Sequence, residues 1–100
     1  MPDFLARIEI HNDLTKYETL HKEMADEGFA RTIVAKDGRT FKLPDAEYYY
    51  GGTKTLREVT EKAKSAASRA KIVYGMVVSE VVDMTLTGLE EVDPSQAANQ

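Results

Sequence analysis

His21 is the side chain in this sequence that is best suited to proton transfer. An imidazole titrates near neutral pH, so it can act as an acid or a base, and it can also contact phosphate. His21 stands four residues after Tyr17 and one after Leu20, at the margin of the apolar stripe of a predicted helix. Two interpretations fit this position: a catalytic or phosphate-contacting group, or a partly buried histidine packed beside a sheet.

A second polar cluster, His11, Asn12 and Asp13, lies where the first predicted strand meets the first predicted helix. Such residues commonly cap helices, although polar groups at this junction can also reach a ligand. A magnesium-dependent nuclease needs converging acids, and Asp13 supplies one carboxylate. The sequence has no cysteine and its two histidines fit no zinc-binding spacing, so we predict no metal and no cofactor.

Three consecutive tyrosines, Tyr48, Tyr49 and Tyr50, place rings on both sides of a predicted central strand. In one interpretation alternate rings fill the core and flank it. In the other, the exposed ring, assigned to Tyr49, stacks on RNA bases, as sheet-based RNA binders do. The basic-glycine-aromatic consensus of RNA-recognition motifs is absent, and an uncovered aromatic face also suits a dimer contact.

The charge of the chain is uneven. Its net charge is −4, which argues against general affinity for nucleic acid. Residues 54–71 nevertheless hold six bases and two acids. The bases are Lys54, Arg57, Lys62, Lys64, Arg69 and Lys71. This stretch is either a solvated helix face with internal ion pairs or an RNA-binding surface that contacts phosphates, for which Lys54, Arg57, Lys62 and Lys64 are the candidates.

The sequence contains no apolar run of membrane-spanning length and begins with no signal-peptide pattern, so we expect a cytoplasmic protein with no membrane partner. Alternating and β-branched segments predict strands at 4–11, 29–36, 39–43, 46–50, 71–79 and 82–87. Capping boxes at Thr15 with Glu18 and at Thr55 with Glu58 predict two helix starts, and Gly28 predicts the end of the first helix. Asp37-Gly38 predicts a type I′ hairpin turn.

This order predicts an α+β fold: a ferredoxin-like β-α-β-β-α-β sandwich over residues 1–92, with two helices on one face of an antiparallel sheet. The polar segment 93–100 is predicted to be a disordered tail. Residues 82–87 alternate Val82, Met84 and Leu86 with polar residues, which predicts either a continuation of the strand at 71–79 or an extra C-terminal strand with no obvious partner in its own sheet. We therefore predict that these three residues pair with a second subunit in a homodimer.

The chain resembles the GhoS-type endoribonuclease antitoxins of type V toxin–antitoxin systems, which are small ferredoxin-like proteins. The resemblance spans residues 6–81. It rests on Leu20, Met24, Asp26, Phe29, Ile33, Val34, the Asp37-Gly38 turn, Leu43 and the helix that starts near Thr55. The same sandwich is shared by small CRISPR adaptation nucleases and VapD-like ribonucleases, and proteins of this type also occur in prophages.

The resemblance implies cleavage of a toxin's messenger RNA. The position of an important helix-one arginine in that family falls at His21, which lacks the fixed fork and permanent charge of arginine. A metal-independent mechanism would use His21 as acid or base, with Arg31 or a helix-two base stabilising the charge of the phosphorane. The alternative is a non-catalytic dimeric module that binds a protein partner. A small-molecule sensor is disfavoured because no ligand loop is recognisable.

Overall fold

A computed structural model describes residues 2–11 and 13–93. Within these residues the chain is α+β, with two α-helices and two antiparallel three-stranded sheets. In chain order the elements are β1 Asp3–Ile10, α1 Tyr17–Asp26, β2 Thr32–Val34, β3 Thr40–Lys42, β4 Glu47–Gly51, α2 Leu56–Ala70, β5 Tyr74–Val81 and β6 Glu91–Val92. The α+β class predicted from the sequence is confirmed.

The main sheet has the order β4-β1-β5, so β1 is central. The alternation of β1 explains this position, because Phe4, Ala6, Ile8 and Ile10 are buried beneath the helices and the intervening residues lie on the opposite face. Leu20 and Met24 of α1 complete the core from one side. The α2 helix contributes Val59 and four buried alanines. Alanine keeps the helix close to the sheet because it adds little side-chain volume.

The helix ends follow local hydrogen bonding. Thr55 and Glu58 form the predicted capping box at the start of α2. The predicted box at Thr15 is replaced by another cap: the Asp13 carboxylate accepts from the Thr15 backbone N–H at 3.0 Å and starts a short 3₁₀ turn, Leu14–Lys16, before α1. Gly28 follows α1 with a φ of +93°, a conformation that glycine adopts without a Cβ penalty.

The second sheet has the order β2-β3-β6. The hairpin between β2 and β3 is present, but its turn differs from the prediction. Gly38 has a φ of +91°, and its N–H donates to the Ala35 carbonyl. A type I′ turn also requires a positive φ at Asp37, which Asp37 does not have. The hairpin therefore has a three-residue loop, 36–38, that ends in a glycine of positive φ, as is typical of the next commonest class of hairpin loop.

The C-terminal region corrects the predicted strand at 82–87, because these residues form no strand in the structure. A two-residue strand follows instead at Glu91–Val92, where it pairs with β3 of the same chain. The predicted disordered tail lies outside the described residues, apart from its first residue. No α-helix among the described residues is both long enough and apolar enough to cross a membrane.

Candidate functional site

His21 and Tyr48 form the closest side-chain contact at the candidate site. The Nδ1 atom of His21 on α1 lies 2.6 Å from the hydroxyl oxygen of Tyr48 on β4. Their rings are 5.6 Å apart between centroids, and Tyr48 is fully buried while His21 is half-buried. Tyr48 reaches His21 because the strand directs it, unlike Tyr49, to the helix-covered face of the sheet. The core therefore fixes the orientation of the imidazole.

Arg31 approaches the same site from the connection between α1 and β2. Its Nη2 donates to the Asp45 carboxylate at 2.9 Å, and its side chain is 14% exposed. Its buried Nε has no hydrogen-bond partner among the described residues. Arg31 lies close enough to His21 for its charge to lower the pKa of the imidazole, but no direct contact joins these two predicted site residues among the described residues.

The electrostatic environment keeps His21 neutral. Burial lowers the pKa of His21, and the charge of Arg31 lowers it further, whereas Glu18 and Asp45 act in the opposite sense. Burial also raises the pKa of Tyr48 well above its ordinary value, so its hydroxyl stays protonated. At neutral pH the pair is therefore an uncharged imidazole and an intact phenol. If Nδ1 donates to the tyrosine oxygen, Nε2 keeps a lone pair that can accept a proton.

Sequence reasoning missed the part that Tyr48 and Asp45 play in this site. The period-two pattern shows that Tyr48 and Tyr50 share a face, but it does not show that His21 lies across from one of them. The residue chosen instead, Tyr49, lies on the opposite sheet face, half-buried, and its hydroxyl donates to the Asp3 carboxylate. Burial and this hydrogen bond raise the pKa of Tyr49 to about 12.

The basic stretch 54–71, which includes the bases predicted to bind RNA, lies on or beside α2, and three of its bases have acidic partners among the described residues. Arg69 donates to Glu23 and Glu27 of the α1 region at 2.7 and 2.9 Å, which ties the two helices together. Lys62 lies 3.8 Å from Glu27, and Lys64 lies 3.8 Å from Glu61. Much of the positive charge of this stretch is therefore locally balanced.

Lys54 and Arg57 differ from these bases. Both are exposed, and neither forms an ion pair within residues 2–11 and 13–93. The charged side chains with the largest effects on the pKa of His21 are Arg31, Glu18, Asp45 and Lys42, none of which belongs to α2. No hydrogen bond or ion pair within the described residues joins the predicted RNA-binding bases to His21 or Tyr48.

The predicted dimer residues line a cleft of about 540 Å³ on the sheet face that the helices leave open. Met84 and Leu86 are half-buried there, beside Ile33, Phe41 and Tyr49 of the same chain. Val82, which also lines the cleft, is fully exposed. Part of this segment therefore packs against its own chain.

The polar cluster at the end of β1 shows ordinary structural contacts. Asp13 caps the 3₁₀ turn, and the Nε2 atom of His11 lies 3.0 Å from a Glu9 carboxylate oxygen. Among the described residues, no group of three or more potential ligands is placed to hold a metal ion. Comparison with known proteins adds no assignment, because no protein-family model and no curated protein matches this sequence.

Proposed function

We propose that this chain is a small RNA-contacting protein and that His21, Tyr48 and Arg31 form its site, with endoribonuclease activity as the expected chemistry. One observation carries the proposal: the imidazole of His21 lies 2.6 Å from the hydroxyl of the buried Tyr48, and the charge of the largely buried Arg31 helps to lower its pKa. A neutral base and a cation that acts on it are the groups that phosphodiester transfer uses.

We also propose that the fold is ferredoxin-like, as the resemblance to GhoS-type antitoxins implies. Ala30, just after α1, exchanges two 2.8 Å backbone hydrogen bonds with Tyr49 of β4. This isolated bridge lies on the side of β4 away from β1 and supports a four-strand order of Ala30 segment, β4, β1, β5. In that arrangement the β2-β3 hairpin and β6 form an appended layer.

The proposed reaction is a metal-independent transesterification. The neutral His21 accepts the proton of an RNA 2′-hydroxyl, and the oxygen attacks the adjacent phosphorus. Arg31 stabilises the negative charge of the phosphorane, and the bond to the 5′-oxygen then breaks as that oxygen takes a proton from water. The hydroxide that remains accepts the proton from the His21 imidazolium, which restores the water and the neutral base. The products are a 2′,3′-cyclic phosphate and a 5′-hydroxyl. The lowered pKa of His21 keeps it in the accepting form at neutral pH.

The test is an RNA cleavage assay with mixed RNA, performed with and without EDTA. We expect cleavage in both conditions, with cyclic phosphate ends. His21→Ala should reduce the rate by about 10²–10⁴-fold, the usual contribution of general acid–base catalysis. His11→Ala is the matched control, because it removes the other histidine, which lies beside Glu9 on the exposed surface. Undiminished cleavage by folded His21→Ala protein would exclude the catalytic assignment.

The second candidate is a non-catalytic module that binds a protein partner. The charge arrangement favours it, because the acids Glu23, Glu27 and Glu61 balance bases of α2 and the net charge is −4. Fluorescence anisotropy with labelled single-stranded RNA at low salt separates the two candidates. Binding that is lost in Arg31→Met supports an RNA site. Absence of both binding and cleavage by the unmodified chain supports the module.

A further inference from the structure

The β5 strand lies at the edge of the main sheet, where it pairs with β1 on one side. The backbone N–H of His11 donates to the Val73 carbonyl at 2.7 Å, which shows that residues 11 and 73 form a hydrogen-bonded pair of the antiparallel ladder. Because the bonding direction alternates along a strand, residues 75, 77, 79 and 81 face β1, and residues 74, 76, 78 and 80 direct their backbone groups outward. Within the described part of the chain, no strand pairs with this outer edge.

We propose that the outer edge of β5 pairs with β5 of a second copy of this chain, antiparallel and about a two-fold axis at Val77. The four outward residues are symmetric about Val77. In this register Met76 of each copy lies opposite Val78 of the other, and Tyr74 of each copy lies opposite Glu80 of the other. Every outward N–H and C=O of the strand then finds a partner. A register centred on Val78 would place Tyr74 opposite Val82, which is beyond the end of the strand.

The side chains suit the same register. Tyr74, Met76 and Val78 are half-buried and pack against the core, and together with Thr60 and Lys64 of α2 they line a groove of about 320 Å³. The second copy would fill the groove with its own Met76 and Val78. Glu80 of the second copy would lie opposite Tyr74, next to Lys64, and would add an attraction between opposite charges.

The opposite face of the strand supports the pairing as well. Val77 is 63% exposed and would meet its own counterpart across the axis, which removes both side chains from water. Gly75 would lie opposite Ser79, a small pair that introduces no charge. No like charges are opposed in this register. The surface is therefore self-complementary, as a two-fold contact requires.

This surface differs from the dimer contact predicted from the sequence, which used Val82, Met84 and Leu86. The side chains of Met84 and Leu86 are already half-buried by their own chain, where they line the cleft. The β5 edge offers in addition a full set of backbone hydrogen bonds, which that segment lacks because it forms no strand. The pairing does not depend on the proposed RNA site, and the two are tested separately.

Disulfide trapping tests the register directly, because the chain contains no cysteine. Across the axis the two Val77 residues form a non-hydrogen-bonded pair with Cα atoms about 4.5 Å apart, a spacing compatible with a disulfide. In a glutathione buffer, Val77→Cys should form a covalent dimer at least tenfold faster than Val34→Cys. Val34 is the matched control because it is a valine of similar exposure, 66%, on another strand.

Val82→Cys distinguishes the two dimer surfaces. Trapping at Val82 but not at Val77 would overturn the β5 proposal in favour of the segment at 82–87. Sedimentation velocity gives the second readout: the unmodified chain should be a dimer, and Val77→Lys should dissociate it because two ammonium groups would meet at the axis, whereas Val34→Lys should not. A monomeric unmodified chain, or a dimer that Val77→Lys leaves unchanged, would also overturn the proposal.

Discussion

Replacing Tyr48 with phenylalanine tests whether the core holds His21 in place. The ring of Tyr48 is fully buried, and phenylalanine fills the same volume, so packing is retained. The substitution removes one group, the hydroxyl that lies 2.6 Å from the His21 Nδ1. Any loss of stability therefore reports on this hydrogen bond rather than on a cavity.

The structure sets the size of the expected effect. A hydrogen bond contributes about 0.5–1.5 kcal/mol net to stability, and a fully buried group left unpaired costs about 1–3 kcal/mol. His21 is half-buried, so water can partly replace the lost contact and the cost should lie near 1 kcal/mol. For a domain of this size, that corresponds to a fall in Tm of about 4–8 °C. Truncation to alanine would cost far more, about 3–5 kcal/mol, because it also creates a cavity.

Urea unfolding measures this difference, with Tyr50→Phe as the matched control. Tyr50 is half-buried on the same strand, and its hydroxyl has no hydrogen bond within the described residues, so its removal should change the free energy of unfolding by less than about 0.5 kcal/mol. A double-mutant cycle with His21→Ala should give a coupling of about 0.5–1.5 kcal/mol between the side chains of residues 21 and 48. If Tyr48→Phe is as stable as Tyr50→Phe and the coupling is near zero, the core does not hold His21.

Three further predictions concern stability. The pKa of His21 in the folded chain lies below its ordinary value, so the unfolded chain binds the proton first as pH falls. The contribution of His21 to stability should therefore be complete above about pH 6.5 and should decrease as pH falls through 6.5 toward the folded-state pKa. Urea unfolding from pH 8 to 5 should show a smaller decrease in stability for His21→Gln than for the unmodified chain. Gly38→Ala should cost about 1–2 kcal/mol for its positive φ. Gly28→Ala should cost more, because a Cβ there would also lie 3.2 Å from the Tyr50 ring, and equal losses in thermal unfolding would contradict the packing argument. Thr55→Ala should cost about 1 kcal/mol through loss of the α2 cap, and unchanged urea unfolding would show that the cap contributes nothing.

The features that the sequence predicted well are local. The alternation of β1 places its apolar face correctly because one face of a half-buried strand must be apolar. The capping box at Thr55 forms because its two partners lie one turn apart on the same helix start. Gly28 ends α1 for a similarly local reason, the freedom of its backbone. These features need no information about distant parts of the chain.

The features that the sequence did not predict depend on distant partners. The segment at 82–87 alternates like a strand, but a strand needs a neighbour, and Met84 and Leu86 instead pack beside the cleft. Lys62 was predicted to contact phosphate, but its Nζ lies 3.8 Å from the carboxylate of Glu27, which follows α1 in the chain. The sequence favoured Tyr49 over Tyr48 as a functional candidate, because the contact of Tyr48 with His21 joins residues 27 positions apart.

Arg31, next to the His21 site, lowers the stability of the fold relative to an apolar side chain in the same position. Arg31 is 14% exposed, and its buried Nε has no partner among the described residues, although buried polar groups are nearly always hydrogen-bonded. Its one carboxylate partner, Asp45, is itself 79% exposed, so the ion pair contributes little to folding. An apolar side chain would pack there without these costs. Arg31→Met should therefore leave the free energy of unfolding unchanged or raise it while abolishing RNA binding, and the opposite pattern would identify Arg31 as a structural residue.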